Sequence, residues 1–211
     1  MPDAPFLPSL APGDRRGSRS PAPRRPPVRL DLLVSLTRLH REGIAARMTR
    51  RLVPDVGERR ALVRWEQRAV REVAPMLSSV GWPGVDVVGE VGAEAAWWIA
   101  LTCDQHTAFQ QDAHRALVEA VEEGRAPARH LAYLEDRLQM HAGAPQEYGT
   151  QHLLFADGSV ELHPVKDPRL MTGLRRHAGL PVAGYRQADL RLLSLTRGPH
   201  VQAPVPRFHH S

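Results

Sequence analysis

The chain has 211 residues, 42% of them hydrophobic but only 5% aromatic, and a formal net charge of +5. That length allows one domain with tails, and the apolar share allows a core of Leu, Val and Ala, residues that lean towards helices. No stretch approaches the roughly 20 apolar residues of a membrane helix. The single cysteine, Cys103, excludes an internal disulfide and favours a reducing, cytoplasmic setting.

Residues 1–28 are rich in Pro, Arg, Ser and Gly. Too few apolar residues are present to offset the entropy of ordering, so a disordered tail is expected. Over residues 1–29, Arg15, Arg16, Arg19, Arg24, Arg25 and Arg29 stand against Asp3 and Asp14, so most of the net charge sits on this N-terminal stretch. A nucleic-acid-binding domain carries its basic patch on a folded face. Weak contact with nucleic acid or an acidic partner is therefore the alternative to a tail without a role. The arginines precede no apolar h-region, so the segment does not read as a secretory signal.

Arg29 to Leu52 reads as a helix, because Leu32, Leu36, Leu39 and Gly43 recur on one stripe. Val53-Pro54 ends it, and Asp55 with Glu58 forms a capping box for a second helix burying Leu62, Trp65, Ala69 and Val73. Pro75 should kink or restart that helix. Gly81-Trp82-Pro83-Gly84 is a loop with Trp82 as its anchor. A third helix, Val91 to Asp104, is apolar all round and hence central. Thr107 and Gln110 form the next expected capping box, and Gly124 ends that helix after Glu123. Pro127 opens a helix to His141 with one stripe of Leu131, Leu134, Leu138 and His141, and a second face of Tyr133 and Met140. Gly143 and Pro145 end it.

From Gln151 the period changes to two. Asp157-Gly158 between two such runs is a strong hairpin signal, and a two-residue loop there pairs Phe155 with Val160, Leu153 with Leu162, and His152 with His163. Asp167-Pro168 caps a short helix to His177. Tyr185 to Leu195 reads as a last helix, and residues 196–211 as a disordered C-terminal tail. The expected fold is mainly α: one domain over residues 29–195, an irregular bundle of six or seven helices with a β-hairpin at about 151–163.

Four places carry chemistry. In the expected register His152, His163 and Glu161 share a face, a set able to hold a divalent ion. A hairpin's outer face is ordinarily polar, so the ordinary reading is preferred and no metal is assigned. The run Gln146, Glu147, Tyr148, Gly149, Thr150, Gln151 supplies amides and hydroxyls suited to orienting a polar ligand. The competing and favoured reading is a structured loop whose side chains satisfy buried backbone. Asp136 and Arg137, adjacent on the preceding helix, cannot simply face each other and read by default as separate surface ion pairs. Cys103-Asp104-Gln105-His106 invites a Cys/His nucleophile, but a free cysteine usually just packs. Asp104 continues the Trp97, Ala100, Leu101 stripe, so it should be partly buried and need a partner such as Arg137.

The chain also resembles a known family. Gly81-Trp82-Pro83, Val88-Gly89-Glu90, Ala95-Ala96-Trp97, Asp104, Phe109-Gln110, Leu131-Ala132-Tyr133-Leu134 with Asp136-Arg137, Pro145-Gln146, Tyr148 to Gln151, Asp167-Pro168, Arg175-Arg176 and Gly179-Leu180-Pro181 occur in order. Over Val73 to Tyr185 this resembles the bacterial domain-of-unknown-function family 6624. The resemblance implies a mostly helical bacterial protein and no activity. The family pattern sets Gln-His, with one residue between, before the position of Asp104, where this chain has Leu101-Thr102.

Two functions stay open. One is a small-molecule or peptide-modifying enzyme, a hydrolase or tailoring activity. Asp136, Tyr148 and Asp104 would be its catalytic groups, and Arg137, Gln146, Thr150 and Gln151 its ligand-binding groups. The other is a non-catalytic interaction or scaffold module with a basic tail. No membrane partner is expected, and the cofactor is undetermined.

Overall fold

The computed structural model describes residues 29–48, 55–155, 159–182 and 200–201. Both expected tails, apart from two residues, and the expected helix at 185–195 lie outside the described residues.

Helix α1 (Leu30–Met48) buries Leu32, Leu36, Leu39, Gly43 and Arg47, the expected stripe extended by one arginine. Helix α2 (Val56–Val80) starts on Asp55, whose side chain accepts the Glu58 N–H while the Glu58 carboxylate accepts the Asp55 N–H. The capping box therefore forms as its spacing predicts. Pro75 lies inside α2, and the helix continues to Val80 without restarting. Trp82 is buried in the following loop, as an anchor should be.

Helix α3 (Val85–Thr102) is the centre of the molecule, packing on α1, α4 and α5. Every residue from Ala95 to Thr102 is buried. It begins earlier than expected, because a first helical piece precedes a break at Gly89, which has φ +71° and ψ 174°. Glycine occupies this left-handed φ without a Cβ penalty. Close approach of α1 to the core depends on Gly43. A Cβ there would fall 2.6 Å from Trp65 Cε2 and 2.7 Å from Trp98 Cζ3.

Helix α4 (Thr107–Glu122) follows a four-residue turn, 103–106, and α5 (Ala128–His141) runs back along it. The expected capping box at Thr107 does not form. The N-cap is His106, and no side chain caps it. Helix α6 (Pro168–His177) is capped by Asp167, whose side chain accepts the Arg169 N–H.

Strands β1 (His152–Leu154) and β2 (Val160–Leu162) form the hairpin. Their register differs from the expected one. His152 pairs with Leu162, Leu153 with Glu161 and Leu154 with Val160, and Phe155 N–H donates to Ser159 O. Three residues, 156–158, thus separate the last paired positions, a common hairpin length that slips the pairing by one. Leu162 is exposed, not packed as expected, while Val160 on the same face is buried. A third strand, β3 (His200–Val201), runs parallel to β1 and completes the order β2-β1-β3. These two residues fall where the sequence suggested only a tail. No described helix is long and apolar enough to cross a membrane.

Candidate functional site

The residues singled out in the sequence separate into two clusters on different sides of α5. On one side Asp136 is fully buried and organises the polar loop. Its Oδ1 accepts the N–H groups of Glu147 (2.8 Å) and Tyr148 (3.0 Å), and its Oδ2 accepts the Thr150 N–H (2.9 Å) and hydroxyl (2.8 Å). Burial pushes the Asp136 carboxyl up, opposed by these donors. Gln146 is equally buried: its amide donates to the carbonyls of Gln151 and His163, and its oxygen accepts the Gln151 N–H. Gln151 donates to Tyr133 O and Thr150 Oγ1. Arg175 closes the loop from α6, donating to Tyr148 O, Gly149 O and Pro181 O. Gly149, at φ +65°, lies against Met171, whose sulfur would be 2.6 Å from a Cβ there. Asp136, Gln146, Thr150 and Gln151 are thus engaged in holding backbone that would otherwise be buried without partners, the favoured expectation for this loop. The default picture of Asp136 and Arg137 as surface ion pairs is corrected, since both are buried.

The hairpin register also removes the geometric basis for a His152, His163, Glu161 metal set. His152 now lies on one face of the ladder while Glu161 and His163 lie on the other. His163 is hydrogen-bonded to Ala144 O through Nε2. Among the described residues no group of three or more potential ligands converges.

On another side of α5 lies a buried ionic cluster around the C-terminus of α3. Arg47 is buried between the Trp65 and Trp98 rings, 4.7 and 4.9 Å from their centroids, and donates to Thr102 O at 2.7 Å. A cation at a helix C-terminus meets the negative end of its dipole. Glu66 of α2, also buried, accepts the Gln105 N–H at 3.0 Å and lies 3.9 Å from Arg47 Nη2. Gln110 donates to Ala100 O and Leu101 O. Arg47 and Gln110 therefore fix the last turn of α3, and Glu66 the 103–106 turn that carries Asp104. Arg137 Nε lies 3.8 Å and His141 Nε2 3.5 Å from Asp104 Oδ1, so the expected Asp104–Arg137 pairing exists and gains a histidine. Burial, with Asp104 nearby, pushes Glu66 up to about 7. Cys103 is fully buried and its thiol is pushed far up by burial, so it stays protonated and packs.

His141 lies on the wall of a cleft of about 450 Å³, together with Thr107, Gln111, Leu138, Gln139 and Ala142. It is the one titratable side chain among these. Sequence reasoning assigned His141 to an apolar stripe and passed over Glu66 and Arg47. The signal was available: Glu66 takes a place in the stripe Leu62, Ala69, Val73, and Arg47 continues the stripe of α1 one turn past Gly43. A charge on a buried stripe needs a partner.

The backbone of Tyr148 is held in the polar loop, but its hydroxyl takes part in neither cluster. Burial, with Glu135, Asp136 and Glu147 nearby, pushes that hydroxyl up to about 12. Glu135 Oε1 is 3.5 Å from His114 Nε2.

Fold and site together define a mainly α domain with a small sheet and a cleft backed by buried charge. The chain belongs to the family of unknown function DUF6624, whose model matches residues 65–201, about two thirds of its length. That span holds Glu66, Asp104, Arg137, His141 and the Asp136 loop, whereas Arg47 and α1 precede it. No curated protein and no solved structure matches the chain.

Proposed function

We propose that the chain is a small-molecule or peptide-modifying enzyme, a hydrolase or tailoring activity, whose acid–base work falls to His141 and Asp104. One observation carries this: a histidine on the wall of a substrate-sized cleft lies against a carboxylate on a turn that buried Glu66 holds in place. A carboxylate beside imidazole orients the ring and stabilises its protonated form, so that the ring can take a proton from a substrate or water and return it. Arg137 offsets the charge of Asp104 when His141 is neutral. Thr107, Gln111 and Gln139 offer neutral hydrogen-bonding groups and Leu138 an apolar surface, which suits an uncharged polar portion of substrate. Gln146, Thr150 and Gln151 support the site by fixing the loop that follows α5.

The test compares wild type with His141→Asn and Asp104→Asn on a panel of 4-nitrophenyl esters and aminoacyl 4-nitroanilides. Loss of turnover by about a hundredfold or more in both variants is expected for a general acid–base pair. Equal rates in all three proteins refute the assignment.

A second reading, a non-catalytic interaction module, has its own support. Exposed Val56 and Val63 on α2 line a shallow groove of about 330 Å³ with Arg59, Arg60 and Arg64. That surface suits an acidic protein partner. Absence of turnover across the whole panel favours this reading.

A further inference from the structure

Helix α1 is apolar on two sides. Its buried stripe, Leu32, Leu36, Leu39 and Gly43, packs towards α2 and α3. A second stripe runs along the outer side: Leu30, Val34, Thr37, Arg41, Ile44 and Met48, at separations of four, three, four, three and four. At 3.6 residues per turn these six fall within about 80° of arc, centred roughly 150° round the helix from the buried stripe. Leu30 and Val34 are each 64% exposed and Met48 70%. Arg41 is exposed, and Thr37 and Ile44 are half-buried. Single exposed apolar side chains are ordinary. Here four of them share one phase on the solvent side of one helix, and alternation of three and four is the repeat by which one helix seats its side chains between those of another.

The order of residues along this seam says what covers it. The spacing reads the same from either end, and so does the chemistry: two apolar residues, two polar ones, two apolar ones. Turned end for end against itself, the seam sets Leu30 against Met48, Val34 against Ile44, and Arg41 against Thr37 of a second copy. The Thr37 hydroxyl donates to Leu33 O, which leaves its lone pairs to accept from that guanidinium. A parallel pairing would instead stack Arg41 on Arg41. The antiparallel one also brings the N-terminus of each α1 beside the C-terminus of the other, where the helix dipoles attract. The six positions hold one cation and no carboxylate, so they offer little to a highly charged partner.

We propose that the outer face of α1 is a homodimer interface, with two copies pairing α1 antiparallel about a two-fold axis level with Leu39. A patch that is its own complement makes an isologous contact, which closes at two copies. The seam is about 27 Å long on a helix about 10 Å across. Two such seams bury less than the roughly 1,200 Å² where stable interfaces begin, so the dimer is weak and reversible. Helix α1 precedes the span matched by the family model, so the contact belongs to this chain's N-terminal helix and not to the matched domain.

Sedimentation equilibrium of the full chain from about 5 to 500 µM tests this, and the mean mass should rise from monomer towards dimer. Val34→Glu sets a carboxylate against Ile44 of the second copy and should weaken the dimer about tenfold or more, with urea unfolding unchanged because Val34 faces water. Arg60→Glu with Arg64→Glu, in the basic groove of α2, should leave dimerisation as it is. Cross-linking reads the orientation. Leu30→Cys mixed with Met48→Cys should give disulfide-linked dimers under mild oxidation, and Met48→Cys alone should not, while Cys103 is buried and takes no part. A monomeric mass at every concentration, wild-type affinity in Val34→Glu, or cross-linking of Met48→Cys by itself would each overturn the antiparallel dimer. Loss of dimerisation in the α2 double variant would overturn it too, by moving the interface to α2.

Discussion

Replacing Asp136 by Asn tests the account of the polar loop most severely, because it changes one atom. The carboxylate accepts four hydrogen bonds: two backbone N–H groups at Oδ1, and one backbone N–H plus a hydroxyl at Oδ2. An amide has only one oxygen. Setting the new NH2 at the Oδ1 place opposes the N–H groups of both Glu147 and Tyr148. Setting it at the Oδ2 place opposes only the Thr150 N–H, since the Thr150 hydroxyl can turn to accept. The second arrangement is the cheaper. It leaves one buried N–H without an acceptor, at about 1–3 kcal/mol, and weakens the remaining bonds by removing the charge that strengthened them. The neutral amide recovers part of the cost of burying a charge, the cost that pushes the Asp136 carboxyl up. The net loss is about 2–4 kcal/mol, and a chain of this size loses about 2–4 °C of Tm per kcal/mol. Urea unfolding followed by the fluorescence of the four tryptophans measures it directly. If Asp136→Asn unfolds at the wild-type urea concentration with the same slope, the carboxylate does not organise the loop and the reasoning fails.

Two further perturbations follow from the core. Glu66 is raised from its ordinary value to about 7, so its ionisation disfavours the folded state: the stability it allows is fully present below about 4.5 and is lost as pH rises towards 7. Its share is about 3 kcal/mol over that window, and the difference in stability between Glu66→Gln and wild type, measured by denaturation from pH 5 to 8, should grow with pH in favour of the variant; a constant difference would contradict the burial of an ionisable carboxyl. Gly43→Ala places a Cβ against the Trp65 and Trp98 rings and should cost about 1–3 kcal/mol in the same unfolding assay, whereas Gly173→Ala, which meets nothing within 4 Å, should not destabilise.

Much of this protein is local in origin and therefore legible from the chain. The Leu32, Leu36, Leu39, Gly43 stripe, the Asp55–Glu58 capping box and the Asp167 cap depend on residues a few positions apart and form as read, and the apolar third helix forms with other bounds, Val85–Thr102. The polar loop was legible too, down to its favoured role of satisfying backbone, because Gln and Thr after a helix end have few other uses in a buried turn. The hairpin was legible as a hairpin but not in register, because one residue more or less in the loop exchanges the faces and local composition hardly distinguishes the two.

Long-range placement decided the rest. Nothing within α5 tells Asp136 from Arg137 as to which cluster each joins. The answer depends on residues 147–150 folding back on one side of α5 and on the 103–106 turn arriving on another. Glu66 and Arg47 are separated from Asp104 by more than thirty positions, and only the packing of α1 and α2 on α3 brings them together. The sequence by itself determined which segments become helices and which residues they bury, because periodicity and capping act within a few turns. Which buried charges meet, and that His141 rather than the polar loop faces a cleft, is set by how separate helices dock, and that information resides in no single segment.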